Sequence, residues 1–264
     1  MAEVRAIAAR ANPLLVRLRK LAAEPAAYRK HGELWLEGDH LCAAFLQRGG
    51  VAPQAVITEE GWSQPALQHL ASRAQNVAVV PAALMEGLSG LESPPALGFA
   101  VPWAGAGTLL PGAPSVVLDR LQDPGNVGTI LRSAAAFGFT QVLAIKGTAA
   151  LWSPRVLRAG MGAHFGLRLL DGVGLDAVAQ LQVPLLVTSS HQGASLLGAA
   201  RPWPCAWVFG HEGQGVAPAL AARAAHAVRI EQPGGEESLN VAAAAAICLH
   251  ASAAGAAAQA KRPL

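Results

Sequence analysis

Leucines recur at helical spacing over residues 12–24: Leu14, Leu15, Leu18 and Leu21 share one side, and Arg17, Arg19 and Lys20 occupy the others. Asn12-Pro13 is a start signal, so a first helix with a basic outer face is predicted here. Strand-like runs then appear at 33–36, 55–58 and 77–80, separated by helical patterns at 39–48 and 64–74. This alternation predicts a small, mainly parallel α/β module. Between 89 and 114 the chain turns to Gly, Pro and Ser, interrupted by the short apolar run 97–101. A second series follows, with strands expected at 115–118, 141–145, 167–170, 185–188, 206–209 and 227–230. Helices are expected at 125–137, 154–160, 175–181, 218–224 and from 238 onward. The expectation is an open parallel sheet covered on both faces, with its ligand beyond the carboxyl ends of the strands. Residues 1–104 are assigned to the basic helix and first module, 105–114 to a linker and 115–264 to the second domain.

Composition narrows the class. With 52% hydrophobic and 14% charged residues among 264, there is ample material for a core. The most apolar run, 241–258, is mostly Ala and carries Cys248, His250 and Ser252, so it reads as a closely packed helix rather than a membrane span. Residues 1–5 lack the apolar core of a secretory signal, and Cys42, Cys205 and Cys248 have no CxxC spacing. A cytoplasmic protein with reduced thiols and no bound metal is expected. The net charge of +3 is uneven: residues 1–31 hold Arg5, Arg10, Arg17, Arg19, Lys20, Arg29 and Lys30 against Glu3 and Glu24. That excess suits either a phosphate-backbone partner or a solvated helix face.

Three strands of the second series are followed by unusual loops. The first, 118–132, contains Pro124-Gly125 and Asn126, a candidate helix cap, with Gly128 and Arg132 four apart on one helix face. Arg132 there is either a clamp for a phosphate or hydroxyl, or a solvated side chain. The second, Phe209-Gly210-His211-Glu212-Gly213-Gln214-Gly215, has three glycines in six residues but neither GxGxxG spacing nor a P-loop lysine. The third is Gly234-Gly235-Glu236-Glu237-Ser238-Leu239-Asn240-Val241, where Ser238 and Asn240 read as helix caps or as ligand-holding groups at a helix start.

Taken in order, Asn126-Val127-Gly128 with Arg132, then 209–215, then 237–241 resemble the three motifs of the SpoU/TrmH-type RNA ribose 2′-O-methyltransferases of the SPOUT superfamily. Arg158-Ala159-Gly160-Met161-Gly162-Ala163 resembles the segment between the first two motifs, and Glu37-Gly38 fits the substrate-binding module often fused in front. The resemblance implies a C-terminal parallel-sheet domain with a deep trefoil knot, a rare exception to unknotted chains. It implies a homodimer through the knotted domain, S-adenosylmethionine as methyl donor, and structured RNA as substrate, with ribosomal RNA favoured over transfer RNA. Donor contacts carry over to Thr188, Phe209, Gly210, His211, Glu212, Gly213, Ile230, Gln232, Ser238 and Leu239. Catalytic roles carry over to Arg132, Asn126, Glu212, Ser238 and Asn240, with Arg132 activating the ribose hydroxyl and Glu212 holding the knot loop, in contact with Arg132 or its partner. RNA contacts are expected from Arg17, Arg19, Lys20, Arg29, Lys30 and Arg132. Two other readings are a transfer-RNA ribose methyltransferase and a non-catalytic RNA-binding protein that keeps the knot. His211 stands where the family usually has Asn, and Glu231-Gln232 where Pro-Met is common, which brings Glu231 toward the donor pocket.

Overall fold

The computed structural model describes residues 2–189, 193–198, 202–234 and 238–260. The chain forms two compact units, one of residues 1–105 with 152–165 and one of 106–151 with 166–264. Residues 152–165 thus pack in the first unit, although they fall inside the 115–264 that the sequence assigns to the second.

The first unit contains β1 (Glu3–Ala6), α1 (Pro13–Ala23), α2 (Ala27–His31), β2 (Glu33–Glu37), α3 (Asp39–Gln47), β3 (Gln54–Thr58), α4 (Glu59–Trp62), α5 (Pro65–Ala71), β4 (Asn76–Val80), α6 (Ala82–Glu86) and β5 (Leu97–Pro102). Helix α1 begins where expected, with Asn12 Oδ1 accepting from the Leu14 amide at 3.0 Å and Pro13 in the first turn. Its leucine side is buried against Trp35, Val56, Ala78 and Val80. The sheet runs β1-β4-β3-β5-β2. It is mixed rather than mainly parallel, because β5 pairs antiparallel with both β3 and β2. Strand β1 was not anticipated; it adds to β4 in parallel with all four residues exposed.

The second unit begins with β6 (Ser115–Asp119), α7 (Pro124–Ala136) and β7 (Gln141–Ile145). Helix α8 (Pro154–Gly160) lies in the segment that belongs to the first unit. The second unit resumes with β8 (Arg168–Val173), α9 (Leu175–Ala179), β9 (Leu185–Thr188), β10 (Ala194–Ser195), β11 (Ala206–Gly210), α10 (Pro218–Ala221), β12 (His226–Arg229) and α11 (Val241–Ala260). The sheet order is β10-β12-β9-β11-β6-β7-β8, and every pairing is parallel. The short edge strand β10 was not anticipated. From β6 the chain steps outward through β7 to β8, then returns to the far side of β6, so the strand order reverses at the β6–β11 boundary. Open α/β sheets hold ligands at the carboxyl edge of such a point.

Helix α11 packs across this sheet beside α7. Residues Val241–Ala258 have a mean hydropathy of 1.7, which by length and composition is enough for a membrane span. One side is nevertheless fixed in the core: Ala242, Ala245, Cys248, Leu249 and Ser252 are buried. Ser252 Oγ accepts from the Trp207 indole of β11 at 2.9 Å, within the core.

Candidate active site

A cavity of about 790 Å³ opens at the carboxyl edge of the second sheet. Thr188 and Ser189 line it from the end of β9, Gly210 through Val216 from the loop after β11, and Ile230 and Gln232 from the end of β12. Ser238 through Val241, with Ala244, close it from the start of α11. Of the residues expected at a methyl donor, Thr188, Gly210, His211, Glu212, Gly213, Ile230, Gln232, Ser238 and Leu239 are therefore brought together. Phe209 is not among them: strand alternation turns its ring into the core, where it is fully buried and stacks near Trp207 at 6.2 Å.

The loop after β11 is held tightly on itself. A Cβ on Gly210 would sit 2.2 Å from the Gly215 carbonyl carbon and the Val216 nitrogen, so only glycine allows this fold-back. His211 Nδ1 accepts from the Gly213 amide at 3.0 Å and the Gln214 amide at 3.3 Å. The imidazole thus serves as a local acceptor of the kind an Asn side chain supplies in Asx turns.

Three loops meet at one rim of the cavity. Asn240 Nδ2 donates to Asn126 Oδ1 at 3.0 Å, and Asn126 Nδ2 donates to Glu212 Oε1 at 3.3 Å. Glu212 also accepts from the Gln122 and Asp123 amides at 3.4 and 3.3 Å. Partial burial works to raise the Glu212 pKa, but hydrogen bonds from its own amide, Asn126, Asp123 and Gln122 outweigh it and hold the carboxyl below its usual range. Glu212 thus joins the loop after β11 to the loop after β6; among the described residues its hydrogen-bond partners do not include Arg132.

Two cap assignments change. Asp123, not Asn126, caps α7: its Oδ1 accepts from the Asn126 amide at 2.7 Å, with Pro124 in the first turn. That frees the Asn126 side chain to join the other two loops. At α11 the cap is Asn240, whose Oδ1 accepts from the Ala242 and Ala243 amides at 2.9 and 3.2 Å. Ser238 lines the cavity instead. Gly235, Glu236 and Glu237 of this motif lie outside the described residues.

Glu231 does not line the cavity, although its neighbours Ile230 and Gln232 do. A hydrogen bond from Ser195, with a smaller contribution from Arg229, lowers its pKa, so its charge is satisfied away from the pocket. Gln232 Oε1 is buried and has no hydrogen-bond partner among the described residues.

Arg132 lies on α7, six residues or about 9 Å along the axis from Asn126. It is exposed, and it makes no hydrogen bond or ion pair with a described residue. The basic residues of the first unit have varied surroundings. Arg17 is paired with Glu33 at 2.6 Å, and Arg19 donates to the Arg10 carbonyl at 2.6 Å. Lys20, Arg29 and Lys30 are exposed, with the Arg29 guanidinium 5.5 Å from the centre of the Tyr28 ring. Sequence reasoning missed Asp119 and Arg120, which anchor the loop after β11 through Ala217 and Gln214.

The profile of the SpoU rRNA Methylase family matches residues 113–250, more than half of the chain. The chain belongs to this SpoU family. A solved structure described as an RNA 2′-O ribose methyltransferase shares 30% identity over 94% of this chain and 98% of its own, with a TM-score of 0.78. An uncharacterised tRNA/rRNA methyltransferase of Synechocystis is 29% identical over 94% of this chain and 93% of its own length. Mitochondrial rRNA methyltransferase 3 of mouse is 52% identical over 63 residues, which are 24% of this chain and 15% of the mouse protein. The SpoU chain described here thus spans a small part of that relative. Its fold is that of the SpoU methyltransferases, which carry the trefoil knot.

Proposed function

We propose that this protein transfers a methyl group from S-adenosylmethionine to a ribose 2′-hydroxyl of structured RNA, with ribosomal RNA the favoured substrate. The observation that carries the reading is the hydrogen-bonded series Asn240–Asn126–Glu212, which joins the three motif loops at the rim of one cavity. The cavity fits the donor in size, since small-molecule sites run from about 300 to 1,000 Å³. It fits in chemistry as well. The unpartnered Gln232 Oε1 offers an acceptor to an amino group such as that of adenine, and the bare backbone at Gly210 allows the close fold-back that shapes the wall.

When bound, S-adenosylmethionine supplies a methyl group on a positively charged sulfur. The chain must then bring a weakly nucleophilic hydroxyl into line with it. Arg132 contributes its free charge to the hydroxyl and the adjoining phosphate. A guanidinium stays protonated, so it acts by stabilising the developing alkoxide rather than by taking the proton. Asn126 and Asn240 orient the ribose from the rim, Glu212 fixes the knot loop beneath them, and Ser238 fills the third-motif wall. Lys20, Arg29 and Lys30 draw the RNA backbone to the first unit, whereas Arg17 is largely compensated by Glu33.

The same reading makes the protein a homodimer through α7 and α11. The free side of α11 supports this, being apolar with Ile247 41% exposed. Calorimetric titration with S-adenosylmethionine, paired with a methyl-transfer assay on ribosomal RNA, tests the assignment. Arg132→Ala keeps the donor affinity of the parent and loses transfer; absence of donor binding at millimolar concentration would sink the enzyme reading.

A further inference from the structure

Arg120 follows the last residue of β6 with φ of 60°, a left-handed conformation that suits glycine and disfavours other L residues. The turn is built around it. Thr148 Oγ1 accepts from the Arg120 amide at 3.1 Å while donating to the Leu118 carbonyl at 3.0 Å. Gly147 leaves room above, since a Cβ there would lie 3.3 Å from Arg120 Cγ. From this turn the guanidinium reaches two ways. Nε and Nη2 donate to the two carboxylate oxygens of Asp119 at 2.8 and 3.3 Å, and Nη1 donates to Gln214 Oε1 at 3.0 Å.

Asp119 is itself 1% exposed, and its Oδ2 also accepts from the Ala217 amide at 2.7 Å. Asp119 and Arg120 therefore hold the loop after β11 at two points, the backbone of Ala217 and the side chain of Gln214. Gln214 lines the cavity, and Ala217 follows its last lining residue in that loop, Val216. A contribution to stability accounts poorly for the Arg120–Gln214 contact, because exposed polar pairs add little and the backbone conformation is unfavourable for arginine.

We propose that Arg120 is a positioning residue: by holding Gln214 at the cavity wall it sets affinity for the methyl donor, and it leaves the methyl-transfer step itself unchanged. This rests on the donor-site reading above. Arg120→Gly relaxes the turn but also strips the buried Asp119 of its ion pair, whereas Gln214→Ala removes only the Arg120–Gln214 contact, so the Tm of Gln214→Ala separates a fold role from a positioning role. The test is calorimetry with S-adenosylmethionine, thermal unfolding and steady-state methylation for the parent, Arg120→Gly, Gln214→Ala and the double variant.

Gln214→Ala is expected to keep the Tm of the parent, and Arg120→Gly to lower it through the unpaired Asp119; both weaken donor affinity and raise donor KM by about three- to tenfold, as one hydrogen bond allows, and Arg120→Gly leaves kcat at saturating donor within about twofold. The double variant should bind no more weakly than the weaker-binding single variant, because both changes remove the same Arg120–Gln214 contact. Donor affinity within about twofold of the parent, a kcat loss at unchanged KM, a lowered Tm in Gln214→Ala that tracks its affinity loss, or additive losses in the double variant would each overturn the proposal. A parent that binds no donor overturns the donor-site reading and this proposal with it; a parent that binds beside unaffected variants overturns only this proposal.

Discussion

His211 turns its Nδ1 onto its own loop, accepting from the Gly213 and Gln214 amides. An Asn Oδ1 can reach amides two and three residues on in the same way. His211→Asn should therefore hold donor affinity within about twofold, whereas His211→Ala leaves two loop amides without an acceptor and weakens binding; titration calorimetry distinguishes the two. Glu212 gives a pH dependence. Its folded pKa lies below the ordinary carboxylate value, so the stabilisation it lends to the joined loops is present above that ordinary value and is lost as pH falls through the depressed one. Donor affinity should persist through the usual carboxylate range and fail only at lower pH, and Glu212→Gln should weaken binding at neutral pH and flatten this dependence. A parent profile already falling in the ordinary range would contradict it. These residues were legible in the sequence because each motif is short and local. Arg120 was not, since an arginine in a left-handed turn leaves none of the trace that a glycine would. Asp123 was overlooked as the cap of α7, although Pro124 after it marks the first helical position.

At the scale of elements, α11 joins the core to the site. Its start is capped by Asn240, and its middle is tied to β11 by the buried Trp207–Ser252 hydrogen bond. Ser252→Ala leaves the indole N–H unsatisfied and should cost about 1–3 kcal/mol in denaturant unfolding with little change in donor affinity. Asn240→Ala should cost about 1 kcal/mol as a lost cap and impair binding or transfer as well, because the same side chain reaches Asn126. An equal split of effects between the two variants would argue against this division. The parallel series of the second unit was readable because its central strands β6, β7 and β11 are short, fully buried and mainly apolar runs separated by helical segments. Two features escaped: β1 has no apolar face to give it a signature, and the direction of β5 is set by its pairing with β2 and β3 rather than by anything in residues 97–102.

At the scale of the whole molecule, the second series does not stay in one unit, since 152–165 folds with the first. One contact that ties it there is distant in sequence: Arg158 Nη1 meets Glu37 Oε2 at 2.7 Å, with Glu37 almost fully buried. Its spacing along the chain gives no local pattern to read, although Glu37 and Arg158 each belong to a recognisable motif. Arg158→Met strands a buried carboxylate and should destabilise the protein by on the order of 2–3 kcal/mol, less than a fully buried pair because Arg158 is partly exposed. Adding Glu37→Leu should recover part of that loss in the same unfolding assay. The dimer proposed above gives a test: the parent should have a dimer's mass in light scattering and Ile247→Glu, which places a charge on the apolar side of α11, a monomer's, while an unchanged mass would remove this face from the interface. The proposed transfer of a methyl group to ribose at the cavity between the three motif loops is open to direct measurement. The measurement that tests it most directly is nucleoside analysis by mass spectrometry of ribosomal RNA incubated with this protein and isotope-labelled S-adenosylmethionine. Label is expected on a 2′-O-methylated nucleoside and absent with Arg132→Ala; label on a base, or no label from a protein that binds the donor, would overturn methyl transfer to ribose.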